Sequence, residues 1–127
     1  MFEQDYIMRV IKEMVRMLLK LLFHIDMESP TAEVLKGAEQ KETLESLLDM
    51  VDGGNINEAE NRVWELVSER SPDALEVALL FYSCLNDKTD DFLAEHDFQR
   101  EEIKEGLDRL VAEYGLGSLA SVFLEDI

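Results

Sequence analysis

The chain has 127 residues, of which 46% are hydrophobic and 32% charged, and its formal net charge is −17. This balance is typical of a folded globular protein and excludes an intrinsically disordered one, and the length fits a single domain. So negative a chain repels phosphate backbones, and we expect no binding to nucleic acid.

The first predicted element is an amphipathic helix over residues 3–25. Its basic residues recur every three or four positions, which at roughly 100° per residue confines them to an arc of about 80°. They are Arg9, Lys12, Arg16 and Lys20. Apolar residues cover most of the remaining circumference, among them Tyr6, Ile7, Met14, Leu18 and Leu22. An apolar face this broad predicts contacts on two sides of the helix.

A second helix is predicted from about Pro30 to Val51. Ser29 precedes it as a capping residue, and proline is well suited to the first helical position. The polar stretch around Gly37 allows a bend or break. Gly53-Gly54 ends the helix, because glycine accepts the left-handed conformation found after many helices.

The third predicted helix covers residues 58–69 and is capped by Asn55 or Asn57. Glu60 follows Asn57 by three residues, which fits a reciprocal capping pair.

The fourth predicted helix runs from Pro72 to Leu85 and begins with a second Ser-Pro pair at Ser71-Pro72. Residues 77–85 are almost wholly apolar, and a helix that is apolar all round is a buried one. We therefore expect this helix at the centre of the domain.

Three further elements are predicted toward the end of the chain. Thr89 is predicted to cap a short helix, Asp97 to cap a longer one and Gly115 to end it, and a last turn folds back on the core. These elements cover residues 90–95, 98–114 and 118–124.

Together these elements predict a single all-α domain over residues 1–127. Six or seven helices are expected to stack as antiparallel hairpins, in a tetratricopeptide-like arrangement with no sheet. Residues 1–26 form the N-terminal amphipathic helix, and residues 29–127 form the helical-hairpin body.

Several stretches of the chain resemble a family of small uncharacterised proteins of Gram-positive bacteria. They are Gln4-Asp5-Tyr6-Ile7-Met8-Arg9, Ile11-Lys12-Glu13, Arg16, Lys20-Leu21-Leu22-Phe23, Phe92-Leu93-Ala94, Glu101-Glu102-Ile103 and Glu105-Gly106-Leu107. The resemblance covers nearly the whole chain and implies a helical, tetratricopeptide-like fold. It implies no activity and no functional residues.

The single cysteine and the N-terminal sequence bear on location. Cys84 has no partner for an internal disulfide, and its apolar neighbours predict a buried, reduced thiol. The first residues are acidic where a signal peptide is basic. The densest apolar run, residues 14–25, is too short and too charged to span a bilayer. We therefore expect a cytoplasmic protein.

The chain carries no nucleophile-elbow, phosphate-loop or dinucleotide-binding motif. Residues 49–60 match four positions of a calcium-binding loop, but Val51 and Gly53 stand where two ligands are required. This segment is therefore interpreted as a plain turn. We expect no metal, no cofactor and no enzymatic activity, with a small metal-dependent enzyme as a remote alternative.

The basic stripe of the first helix has three interpretations. It pairs with the acidic body of its own chain, it lies at a homodimer or partner interface, or it binds a membrane surface peripherally. We favour a protein-interaction or scaffold module with this helix at the interface. Membrane docking is the alternative, and the acidic body opposes it because an anionic membrane repels negative charge. Candidate interface residues are Ile7, Arg9, Lys12, Met14, Arg16, Leu18, Lys20 and Leu22.

Overall fold

The computed structural model describes residues 2–25 and 35–116, which form six α-helices. These are α1 (Phe2–Phe23), α2 (Ala38–Asp52), α3 (Ile56–Val67), α4 (Pro72–Asn86), α5 (Asp90–Glu95) and α6 (Arg100–Glu113). None of the residues in these two ranges lies in a strand, so the predicted all-α class is confirmed. The expected Ser29-Pro30 helix start and the turn at 118–124 fall outside the described residues.

Two of the predicted helix caps are confirmed. The Ser71 hydroxyl accepts a hydrogen bond from the backbone N–H of Ala74 at 3.1 Å, at the start of α4. The Thr89 hydroxyl accepts one from the backbone N–H of Phe92 at 3.0 Å, at the start of α5. Each cap satisfies a backbone donor that has no partner within its own helix, and this fixes where the helix begins.

Glycines mark the predicted ends of α2 and α6. Gly54 has φ of +92° and Gly115 has φ of +69°, the left-handed region that a side chain disfavours. Within the described residues, positions 35–37 are not helical and α2 begins at Ala38, so the prediction of helix at 35–37 is wrong. Gly37 lies just before α2 in an extended conformation, within the stretch where the sequence allows a bend or break.

The start of α3 differs from the prediction. The helix begins at Ile56 with Asn55 at the N-cap position, although the Asn55 side chain makes no capping hydrogen bond. Ile56 is fully buried, so core packing draws the first turn inward and leaves Asn57 inside the helix. The predicted pairing of Asn57 with Glu60 is therefore wrong.

The start of α6 also differs from the prediction. Asp97 adopts a left-handed conformation with φ of +57° and does not cap the helix. Gln99 is the N-cap residue, and its backbone N–H donates to the Glu102 carboxylate at 2.8 Å. This reciprocal contact places the helix start two residues beyond the predicted one.

The core is built around α4, as its apolar sequence predicts. This helix packs against α1, α2, α3 and α6, and ten of its 15 residues are buried. The first half of α2 faces the second half of α3, so these two helices form an antiparallel hairpin on one side of α4.

The first helix is a full member of this core. It packs against both α4 and α6, which accounts for the breadth of its apolar face. Its buried residues include Ile11, Met14, Val15, Leu18 and Leu19. In the described part of the chain, no helix has the length and apolar character needed to cross a membrane.

A buried arginine joins the ends of three helices. Arg100, only 3% exposed, donates to the Asn86 side-chain oxygen at 3.0 Å, to the Lys88 carbonyl at 2.8 Å and to the Asp90 carboxylate at 2.8 Å. Asn86 in turn donates to the Met8 carbonyl of α1 at 3.0 Å. The arginine thus satisfies backbone carbonyls at the end of α4 and holds α5 and α6 beside it.

Candidate interaction surfaces

A row of basic residues and two exposed apolar residues of α1 form a set that we call the outer strip. Its members are Tyr6, Arg9, Lys12, Arg16, Lys20 and Leu21. Tyr6 is 56% exposed and Leu21 is 52% exposed, whereas most large apolar side chains of the chain lie in the core. Arg9 and Lys12 are exposed, and Arg16 and Lys20 each interact with another group of the chain.

Two of the residues predicted at the interface lie elsewhere. Met14 and Leu18 are completely buried by α4, α6 and the rest of the core, so they are not available to a partner. Ile7 and Leu22 are half-buried and pack against the same core. That part of the prediction is wrong because the middle of the apolar face binds the chain's own body, and the exposed apolar residues, Tyr6 and Leu21, were not among the candidates.

A groove of about 530 Å³ lies between the two helices of the α2–α3 hairpin. Leu47 and Leu66 supply its apolar lining, and Leu66 is 38% exposed. A smaller depression of about 180 Å³ shares Thr43 and Leu66 with it and continues to the start of α4. The two depressions adjoin at these two residues and are described together as one channel, which sequence reasoning did not identify because three separate helices contribute to it.

This channel is bordered by carboxylates, and we call it the acidic groove. Its exposed acidic residues are Glu39, Glu42, Glu65, Glu69 and Asp73. Arg62 is the basic residue among those that line it. Like charges held this close together around an apolar lining create a negative potential that attracts a cationic partner.

A buried polar contact joins α3, α4 and α6. Tyr82 is completely buried, and its hydroxyl donates to the Glu60 carboxylate at 2.7 Å. Burial raises the pKa of both groups, despite the hydrogen bond that lowers that of Glu60. The absence of a side chain at Gly106 makes room for the Tyr82 ring. Because the tyrosine is closed off from solvent, this contact fixes helix positions and does not present a reactive group.

The thiol of Cys84 is half-buried in α4. Burial, with a smaller contribution from the Asp87 carboxylate, raises its pKa to about 11. A thiol with this pKa is protonated at neutral pH and is a weak nucleophile. The structure therefore agrees with the interpretation of Cys84 as a packing residue.

The segment at 49–60 forms the predicted turn. The backbone N–H of Asn55 donates to the Met50 carbonyl at 2.8 Å across Gly53 and Gly54. Glu60, the last position of the calcium-loop pattern, bonds to Tyr82 in the core. No group of three or more histidine, cysteine or acidic side chains within residues 2–25 and 35–116 is arranged to hold a metal ion.

Comparison with known proteins identifies a family. The model of a family of unknown function, DUF6483, matches residues 1–115. The resemblance to an uncharacterised family is thereby confirmed. Neither a curated protein nor a solved structure matches the chain.

Proposed function

We propose that this chain, which belongs to the DUF6483 family of unknown function, is a protein-interaction module that binds its partner through the outer strip of α1. The observation that supports the proposal is the exposure of Tyr6 and Leu21 near the two ends of a helix whose middle is buried in the core. Tyr6 and Leu21 lie near opposite ends of α1, about 22 Å apart at roughly 1.5 Å per residue, so a partner that covers both would lie along the whole helix.

The composition of the strip indicates the chemistry of the partner. Tyrosine and arginine are enriched among the residues that contribute most to binding, because each combines a large contact area with hydrogen bonding. Tyr6 precedes Arg9 by three residues, so the two side chains are neighbours on the helix surface. A partner surface with carboxylates around an apolar patch would bind both side chains, the apolar patch contacting Tyr6 and the carboxylates pairing with Arg9.

The proposal is tested by site-specific photo-crosslinking in cells. The photoreactive amino acid benzoylphenylalanine replaces Tyr6, and a control chain carries it at Glu95, an exposed position on α5. We expect a discrete adduct from position 6 and none from position 95. The adduct should disappear when Arg9 and Lys12 are both changed to glutamate. Equal adduct patterns from the two positions would refute the proposal.

Peripheral membrane docking through α1 is the second candidate, supported by the same exposed Tyr6 and Leu21 beside basic side chains. Two features oppose it. The net charge of −17 is repelled by an anionic bilayer, and Met14 and Leu18 are committed to the core. Sedimentation with phosphatidylserine vesicles tests this candidate. Pelleting at low salt that is lost at high salt would support membrane docking, and no pelleting at low salt would refute it.

Further points belong to the same proposal. The α2–α3 hairpin, stacked on α4, supports a tetratricopeptide-like description of the helical body. A role without catalysis, in the cytoplasm of a Gram-positive bacterium, is consistent with an interaction module. Fractionation of cells that express the chain would check the location.

A further inference from the structure

The exposed large apolar side chains in the described part of the chain share a feature. They are Tyr6, Leu21 and Leu66. The first two belong to the outer strip of α1 and the third lies at the junction of the two depressions of the acidic groove. Every exposed large apolar side chain within residues 5–25 and 35–116 therefore belongs either to the outer strip or to the acidic groove.

These two surfaces carry opposite charge. Arg9, three residues after Tyr6, and Lys12 are exposed on the outer strip, and Asp5 is an exposed carboxylate on this part of α1. Glu42 and Glu65 are exposed on the groove, on either side of the α2–α3 gap. An acidic groove with an apolar lining fits a helix surface that carries basic residues beside an apolar one. In such a contact, burial of the apolar groups and charge attraction both favour binding.

We propose that the partner of the outer strip is a second copy of this chain, whose acidic groove receives it. The inference rests on the proposed function, since it names the partner of the surface that the function requires. In this contact Tyr6 of one copy lies against Leu66 of the other, and Arg9 and Lys12 meet the carboxylates of Glu42 and Glu65. Two different surfaces of the chain meet in this contact.

The pairing of two different surfaces limits the assemblies that can form. If each copy uses both surfaces toward the same neighbour, the two contacts are related by a two-fold axis and the result is a closed, isologous dimer. If the neighbours differ, the chains join into a ring or an open filament. Each copy carries a net charge of −17, and this repulsion is screened beyond about 8 Å at physiological salt. Contacts between opposite charges at the interface are shorter than that distance and persist.

The test uses charge reversals that separate the two surfaces. One variant, the strip variant, carries Arg9→Glu and Lys12→Glu. The other, the groove variant, carries Glu42→Lys and Glu65→Lys. Light scattering over a wide range of concentration measures the mass of each variant, of the wild type and of an equimolar mixture of the two variants.

The wild type is expected to self-associate, and each variant alone to do so at least tenfold more weakly. The mixture should regain assembly, because the unaltered strip of the groove variant fits the unaltered groove of the strip variant. The alternative contact is a symmetric pairing of two α1 helices. In that case the groove variant alone would still assemble, because its α1 is unchanged.

A control variant with Asp91→Lys and Glu95→Lys changes net charge as the groove variant does, but on α5. It should assemble as well as the wild type or better, since reducing the net charge reduces repulsion. If it loses assembly as the groove variant does, the effect is not specific to the groove and the inference is wrong. Circular dichroism of every variant establishes that its helices are intact.

The other outcomes separate the inference from the proposed function. A wild type that is monomeric throughout, but still gives a crosslinked adduct of another mass from position 6, overturns the self-contact and keeps the interaction module. Assembly that depends on Arg9 and Lys12 but not on Glu42 and Glu65 keeps the outer strip and refutes the groove. A monomer with no adduct refutes both.

Discussion

Gly106 is expected to be indispensable for the packing of Tyr82, and Gly106→Ala tests this. Glycine in the middle of a helix is unusual, because alanine there is more favourable by about 1 kcal/mol. A Cβ at position 106 would contact the Tyr82 hydroxyl and lie 2.6 Å from the ring carbon Cζ. The ring is fully buried and bonded to Glu60, so it has no free direction in which to move.

The expected magnitude follows from three contributions. Overpacking of a filled core costs about 1–3 kcal/mol. Loss or distortion of the bond between Tyr82 and Glu60 adds about 1 kcal/mol. The gain in helix propensity offsets about 1 kcal/mol. The net loss for Gly106→Ala is about 2 kcal/mol, which in a domain of this size lowers Tm by about 8 °C.

Urea denaturation followed by circular dichroism measures the loss. Ala112→Gly, at an exposed position of the same helix, serves as the control and should lose about 1 kcal/mol from helix propensity alone. In a Tyr82→Phe background the cost of Gly106→Ala should shrink, because the hydroxyl next to the new methyl group is gone. If Gly106→Ala is as stable as the wild type or more so, the close approach of α6 to Tyr82 is not as described.

Four further predictions concern the stability of the core and of one helix cap. Glu60→Gln should be at least as stable as the wild type at neutral pH. Burial raises the pKa of the Glu60 carboxyl in the folded state, so the free energy of unfolding of the wild type falls as pH rises from the ordinary pKa of 4.5 through the raised one. Urea denaturation at a series of pH values should therefore show the variant gaining on the wild type only as pH rises through this window. Arg100→Met should lose about 2–4 kcal/mol in urea because it leaves Asn86 and the backbone carbonyls around it without a donor, and a loss below 1 kcal/mol would contradict this account. Ser71→Ala should lose about 1 kcal/mol through its cap, with Ser71→Thr as the conservative comparison. Leu18→Ala should lower the free energy of unfolding by about 2–5 kcal/mol, because Leu18 is completely buried in the core. Little loss of stability together with loss of assembly would instead show that Leu18 lies at an interface.

The elements that sequence reasoning located correctly are those with local signals. Ser71 followed by proline marks the start of α4, and Thr89 marks that of α5, because the capping hydrogen bond joins residues only three apart. Gly54 and Gly115 end α2 and α6 because their conformation disfavours a side chain. Such features depend on neighbours in sequence and are visible before the fold is known.

The elements that were misplaced depend on contacts between distant residues. Burial of Ile56 against the core sets the start of α3, and it outweighs the capping preference of Asn57. Glu60 meets Tyr82 across 22 residues of sequence, so its role in the core was hidden from a local capping pattern. The acidic groove has the same origin, since α2, α3 and the start of α4 each contribute part of its border.

The outer strip shows why helical periodicity alone does not identify an interface. Val10 and Leu21 are 11 residues apart, so at about 100° per residue they project from α1 in nearly the same direction. Yet Val10 is 7% exposed and Leu21 is 52% exposed. The two residues differ in their position along the helix axis. Val10 is two residues from Met8, whose carbonyl accepts a hydrogen bond from Asn86 of α4, and Leu21 is in the last turn of α1. Periodicity predicts the direction of a side chain but not how far the neighbouring helices extend along it.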